Sequence, residues 1–244
     1  MSENNAAKKL IVALDTPLAS EARELFHQLN HFGVRFKVGP ELFMRAGPDW
    51  VGKMAKQGCE IFLDLKFHDI PNTVAAACRN AVHMGVWMCN VHALGGPDMM
   101  KAARAALDEE SERENKTRPH LLAVTILTSH TDESLGQIGL GGNALENVVR
   151  LARLARESGC DGVVASALEA PTIRKELGED FLIVTPGIRP SDASLDDQAR
   201  VSTPAGALGS GASHLVVGRP IRNADSPAVA TRMIVKEMSD ALGR

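Results

Sequence analysis

Ile61-Phe62-Leu63-Asp64-Leu65-Lys66-Phe67-His68-Asp69 opens as a short apolar run and closes in alternating charge. Ile61 to Leu65 has the near-continuous apolar character of a parallel strand buried on both faces. It is followed by Thr73 to Met84, whose apolar residues recur at helical spacing, and by Gly85, so the stretch predicts one βα unit. The same rhythm recurs in both directions along the chain. Further runs lie at Leu10 to Leu14, Val34 to Val38, Trp87 to His92, Leu121 to Leu127, Gly162 to Ala165, Phe181 to Val184 and Leu215 to Val217. Helical periodicity falls between them at Ser20 to His31, Asp98 to Glu110 and Glu146 to Ser158, and after the last run at Pro227 to Leu242. Eight alternations in 244 residues predict an α/β fold, a closed (β/α)8 TIM barrel formed by 1–244 as a single domain, since such barrels need about 250 residues. An open doubly wound sheet is the alternative that periodicity leaves standing. The first run lacks the GxGxxG turn of a dinucleotide fold.

Composition narrows the function classes. Lys plus Arg number 27 against 30 Asp plus Glu, a formal charge of −3, which gives no general attraction to nucleic acid or to an anionic membrane. Cys59, Cys78, Cys89 and Cys160 are scattered, with neither a CxxC pair nor zinc-finger spacing, and read as reduced thiols of a cytoplasmic protein. No apolar signal core follows Met1, and no run approaches membrane-spanning length. The charged stretch Asp108 to Arg118 reads as a solvated helix end and loop.

In such barrels chemistry sits at the C-terminal ends of the strands, and charge collects there. Asp15 follows the first run, Lys37 ends the second, Asp64 and Lys66 close the third, and His92 closes the fourth. Strand side chains alternate with period two, so Asp64 and Lys66 are expected to face the barrel mouth together. With Asp69 three residues on, two acids would favour the charged form of Lys66 and make it a poised proton donor. A rim of structural ion pairs is the plainer reading. Grouping Lys37, Asp64, Lys66 and Asp69 where ligands bind favours function, because each buried ion costs several kcal/mol. His92 reads as a core histidine, and the remaining histidines show no metal-ligand spacing.

Thr185-Pro186-Gly187-Ile188-Arg189 follows the seventh run and Gly218-Arg219-Pro220-Ile221 the eighth. Barrels commonly build phosphate sites there from backbone N–H groups and cationic side chains. The polar segment from Ile188 to Arg200, with Gln198 near its end, is either a lid or a surface loop. Thr128 and Ser129 either hydrogen-bond a pyrimidine or cap the next segment.

These residues also carry a resemblance. Asp64-Leu65-Lys66-Phe67-His68-Asp69-Ile70-Pro71-Asn72-Thr73 resembles the signature of the orotidine 5′-phosphate decarboxylases of bacterial type. Val12-Ala13-Leu14-Asp15, Lys37-Val38-Gly39, Thr125-Ile126-Leu127-Thr128-Ser129 and the two glycine-arginine turns match in the same order. The resemblance implies a carboxy-lyase without metal or cofactor. In it Lys66 protonates the ring carbon within an array of Lys37, Asp64, Lys66 and Asp69. It further implies a homodimer in which Asp69 and Thr73 complete the partner's site. Asp15 and Lys37 would contact the ribose, Thr128 the pyrimidine, and Arg189, Gln198, Gly218 and Arg219 the phosphate. Two other classes compete. A magnesium-dependent sugar-phosphate lyase or aldolase would share the Asp-x-Lys strand, but Lys37 would repel the metal. A non-catalytic nucleotide sensor would need the phosphate turns but not the charged array.

Overall fold

The computed structural model describes residues 3–190 and 202–243. Eight strands, β1 (Leu10–Ala13), β2 (Arg35–Val38), β3 (Ile61–Phe67), β4 (Met88–His92), β5 (His120–Val124), β6 (Gly162–Val164), β7 (Leu182–Thr185) and β8 (His214–Val217), pair in sequence order and close on themselves, all parallel. This is the expected (β/α)8 barrel. Around it run α1 (Glu3–Ala7), α2 (Ala19–Leu29), α3 (Pro40–Lys56), α4 (Pro71–Met84), α5 (Gly96–Arg113), α6 (Asp132–Gln137), α7 (Ala144–Glu157), α8 (Ala170–Leu177), α9 (Pro204–Gly209), α10 (Arg219–Arg222) and α11 (Pro227–Leu242). Every strand predicted from the apolar runs is present, with ends shifted by at most three residues.

Alternation splits the strand side chains between two cores. Val12, Phe36, Val38, Ile61, Leu63, Cys89, Val91, Leu121, Ala123, Val163, Ile183, Leu215 and Val217 point outward and are buried beneath the helices. Ile11, Ala13, Phe62, Met88, Leu122, Val184 and Val216 point inward and fill the middle of the barrel. Gly162 lets β6 approach β7, since a Cβ there would stand 2.3 Å from the Leu182 carbonyl oxygen.

The end away from the charged rim is stoppered. The Arg35 guanidinium stacks over Trp87 at 3.9 Å, and Trp87 packs edge-on against His120 and His214. Arg35 donates to His214 Nε2 at 3.0 Å; a guanidinium cannot accept, so Nε2 is the unprotonated nitrogen. Burial, reinforced by Arg35 and Lys9, pulls the His214 pKa down to about 3.

The stretch Asp108 to Arg118 is the largely exposed helix end and loop expected, with two anchors into the fold. Glu110 is buried and bonded by His83 and Arg113, joining α4 to α5, and Arg118 grips Asp161 through two bonds of 2.7 and 2.8 Å. Among the described residues no helix is long and apolar enough to cross a membrane.

Candidate active site

The C-terminal rim of the barrel encloses a cavity of about 420 Å³. Its lining includes Asp15, Lys37, Asp64, Lys66, Gly187, Arg189, Gly218 and Arg219. The strand ends converge here, which places four charges in a row. Lys37 Nζ donates to Asp15 Oδ1 at 2.8 Å and lies 3.3 Å from Asp64 Oδ2; Lys66 Nζ donates to Asp64 Oδ1 at 2.7 Å. The signs alternate from Asp15 to Lys66, so each ion loses water but gains an opposite neighbour.

Lys37 shows the balance. It is only 7% exposed, and burial, the largest single influence, opposes its charge. Asp64 and Asp15 more than reverse that, and the pKa rises above 10.5. Gly39 makes room for the pair, because a Cβ there would stand 2.9 Å from Asp15 Oδ1 and 3.2 Å from Lys37 Nζ.

Asp64 and Lys66 reach the same cavity, but not by regular alternation. Leu63 pairs with Cys89 and Phe67 with Val91, so four residues of β3 advance against two of β4. Within this bulge Lys66 adopts φ +50, a left-handed backbone that costs about 1–3 kcal/mol in a residue with a side chain and clusters at functional sites. Asn90, on β4, is the residue that sequence reasoning missed. It is fully buried, its Oδ1 accepts the Lys66 backbone N–H at 2.8 Å, and its Nδ2 donates to Asp64 Oδ1 at 2.7 Å. Its one sequence signal is a carboxamide inside the apolar run Met88-Cys89-Asn90-Val91.

The opposite side of the cavity is cationic. Arg189 is 8% exposed; its Nη1 donates to the Ile188 carbonyl at 3.0 Å, and its backbone N–H reaches Ser202 across an isolated bridge. Arg219 opens α10 and also lines the cavity, as does Arg222 one turn later. Arg222 was not foreseen, although its i, i+3 spacing from Arg219 is the available signal. Three guanidiniums beside two glycine turns suit a multiply charged anion such as a phosphate.

Other expected site residues lie elsewhere. Among the described residues, Asp69, Thr73 and Thr128 do not line this cavity. Asp69 is exposed and accepts the Ile70 N–H at 2.6 Å; Thr73 is exposed in the first turn of α4. Among the described residues of one chain, Lys66 therefore has one carboxylate partner, Asp64. Thr128 is half-buried on the loop after β5, and Gln198 lies outside the described residues. His92 is half-buried and stacks on His68 with ring centroids 5.4 Å apart. Burial, then His68, Lys66 and His130, lower its pKa to about 4, so it is neutral near pH 7.

Comparison with known proteins matches residues 8–234 to the model of the orotidine 5′-phosphate decarboxylase / HUMPS family. The chain is similar to orotidine 5′-phosphate decarboxylases of Hydrogenovibrio crunogenus, 52% identical over 97% of this chain and 96% of that one, and of Nitrosococcus oceani, 53% identical over 95% and 98%. The crystal structure of orotidine 5′-phosphate decarboxylase from Lactobacillus acidophilus superposes with a TM-score of 0.85 at 41% identity, covering 95% of this chain and 99% of that one.

Proposed function

The chain belongs to the orotidine 5′-phosphate decarboxylase / HUMPS family, and from that premise we propose that it is a carboxy-lyase converting orotidylate to uridylate and carbon dioxide without a metal. The observation that carries this reading is Lys66. Its ammonium is fixed 2.7 Å from Asp64, in the same cavity as Arg189, Gly218 and Arg219.

The reaction breaks a carbon–carbon bond and leaves the electron pair on a ring carbon that delocalises it poorly. Catalysis must then be electrostatic. Lys66 faces the developing negative carbon, stabilises it and gives it a proton; the resulting amine is reprotonated from water. Asp64 sets a like charge against the departing carboxylate. Lys37 and Asp15 hold the ribose, and Arg189, Gly218 and Arg219, with Gln198, hold the phosphate. Binding energy from this remote group is thereby spent on orienting the base.

Thr128 is assigned to the pyrimidine. Asp69 and Thr73 are assigned to the partner's site in a cytoplasmic homodimer, a role that suits their exposed positions away from their own cavity. The Lys37 ammonium engages Asp15 and Asp64 together, which disfavours a divalent cation between those acids and supports the metal-free course. Mixing the purified chain with orotidylate in excess EDTA should remove the substrate's ultraviolet absorbance. An unchanged spectrum refutes the activity, and turnover that stops with EDTA and returns with magnesium refutes the metal-free course.

A further inference from the structure

We propose that Asn90 is a positioning residue of this reaction, its one carboxamide fixing both the rotation of the Asp64 carboxylate and the backbone from which Lys66 projects. The inference rests on the decarboxylase reading and adds to it a residue that touches no reacting atom.

Asn90 lies in β4 two residues beyond Met88, hence on the inward side of the barrel, and is fully buried. A carboxamide there must find partners or destabilise the fold. It finds two, and both belong to the charged row. Nδ2 donates to Asp64 Oδ1 at 2.7 Å, and Oδ1 accepts the Lys66 N–H at 2.8 Å. Reversing the amide would set oxygen against carboxylate and N–H against N–H, so chemistry dictates its orientation.

The two bonds act where β3 is irregular. The bulge between Leu63 and Phe67 displaces Lys66 from the regular ladder, and its left-handed φ of +50 is a conformation that needs outside support. Asn90 supplies an acceptor for the displaced N–H. Asp64 Oδ1 takes both the Asn90 donor and Lys66 Nζ, so the angle at which Asp64 meets the ammonium is set from β4. A neutral amide does this without disturbing the alternating charges of Asp15, Lys37, Asp64 and Lys66. From β5 the residue opposite Asn90 is Leu122, which carries no charge.

Two variants of the full chain test the role. Asn90→Ala removes both bonds. Misplacing a reacting group by about 1 Å costs about 100-fold in rate, so kcat should fall by about that factor while KM and inhibition by uridylate change by less than about threefold. Asn90→Asp is isosteric and switchable. Protonated, its O–H can donate to Asp64 while its carbonyl accepts from Lys66; ionised, it repels Asp64. Two carboxyl groups at about 2.7 Å disfavour each other's ionisation while Lys66 and Lys37 favour it from β3 and β2, and the fraction of variant molecules that holds a proton on the pair grows as pH falls. The ratio of variant to wild-type kcat should therefore rise as pH falls.

A residue that merely packs would lower the melting temperature but leave kcat per folded site unchanged and the Asn90→Asp ratio flat with pH. Either result overturns the role. If Asn90→Ala does not fold, the Asn90→Asp profile decides alone. A wild-type chain that leaves orotidylate untouched overturns the decarboxylase reading and this role together, whereas normal wild-type turnover with unaffected variants overturns this role only.

Discussion

Replacing Asp64 by asparagine keeps the outline of the side chain and removes its charge. Three donors converge on that carboxylate: Lys66 Nζ and Asn90 Nδ2 on Oδ1, and Lys37 Nζ at 3.3 Å from Oδ2. The Lys66 side chain is 35% exposed, so solvent screens its share and little stability is at stake there. Lys37 decides the outcome, since its side chain is 9% exposed and would be left with Asp15, itself 46% exposed. Removing one member of a buried pair costs about 3–5 kcal/mol, and the surviving Asp15 argues for the lower end. At about 2–4 °C per kcal/mol for a chain of this size, Asp64→Asn should melt about 6–12 °C below wild type near pH 7. The pH dependence carries the sharper test. In the native chain burial opposes the Lys37 charge but the two carboxylates prevail, so its pKa stands above 10.5. A raised lysine pKa contributes stability that is fully present below 10.5 and is lost as pH climbs through the folded value. Without Asp64 the first of the charges that offset burial is gone and the Lys37 pKa falls from its native value, so the stability difference, full at neutral pH, shrinks as pH rises through the lowered value. The melting gap between wild type and variant should narrow from pH 7 toward about pH 10. A gap that stays constant or widens, or a variant within about 2 °C of wild type at neutral pH, refutes this account of Lys37.

Lys66→Ala should reduce kcat by at least about 10³-fold, the combined scale of a lost acid and a lost electrostatic partner, with a far-UV circular dichroism spectrum like that of wild type; near-normal turnover removes Lys66 as the acid. Arg219→Ala should lower kcat/KM by about 10- to 150-fold, the equivalent of one charge-assisted hydrogen bond of about 1.5–3 kcal/mol, and an unchanged value removes its phosphate role. Gly162→Ala drives a methyl group toward the Leu182 backbone, and overpacking of about 1–3 kcal/mol or more should lower the melting temperature by about 2–12 °C; an unshifted melt would show that β6 and β7 separate freely.

The barrel was legible because strands buried on both faces must be apolar, so most strands announced themselves as runs of Val, Ile and Leu, with β2 and β4 the mixed exceptions. The helix α3 was not among those read, since Gly47, at φ +74, and Pro48 interrupt its pattern mid-course. In the candidate site, charge at strand ends was enough to find Asp15, Lys37, Asp64 and Lys66. Alternation gave the right face for Lys66 for an incomplete reason, because a lysine bears no mark of a left-handed backbone and a bulge depends on the neighbouring strand. Asn90 escaped for a related cause: its partners lie 24 and 26 residues away, and one amide in an apolar run means nothing until β3 and β4 are side by side. On the proposed homodimer the roles of Asp69 and Thr73 depend on a second chain, which no single-chain pattern specifies.

The packed floor beneath the rim, with Arg35 and Trp87 at its base and Phe62, Met88 and Leu122 above them, turns the barrel into a cul-de-sac. On the proposed reaction, the gas leaves by the rim, since among the described residues the packed floor offers no rear passage. Traffic across the rim, rather than the bond-breaking event, is then where widening or narrowing the entrance would be felt in turnover.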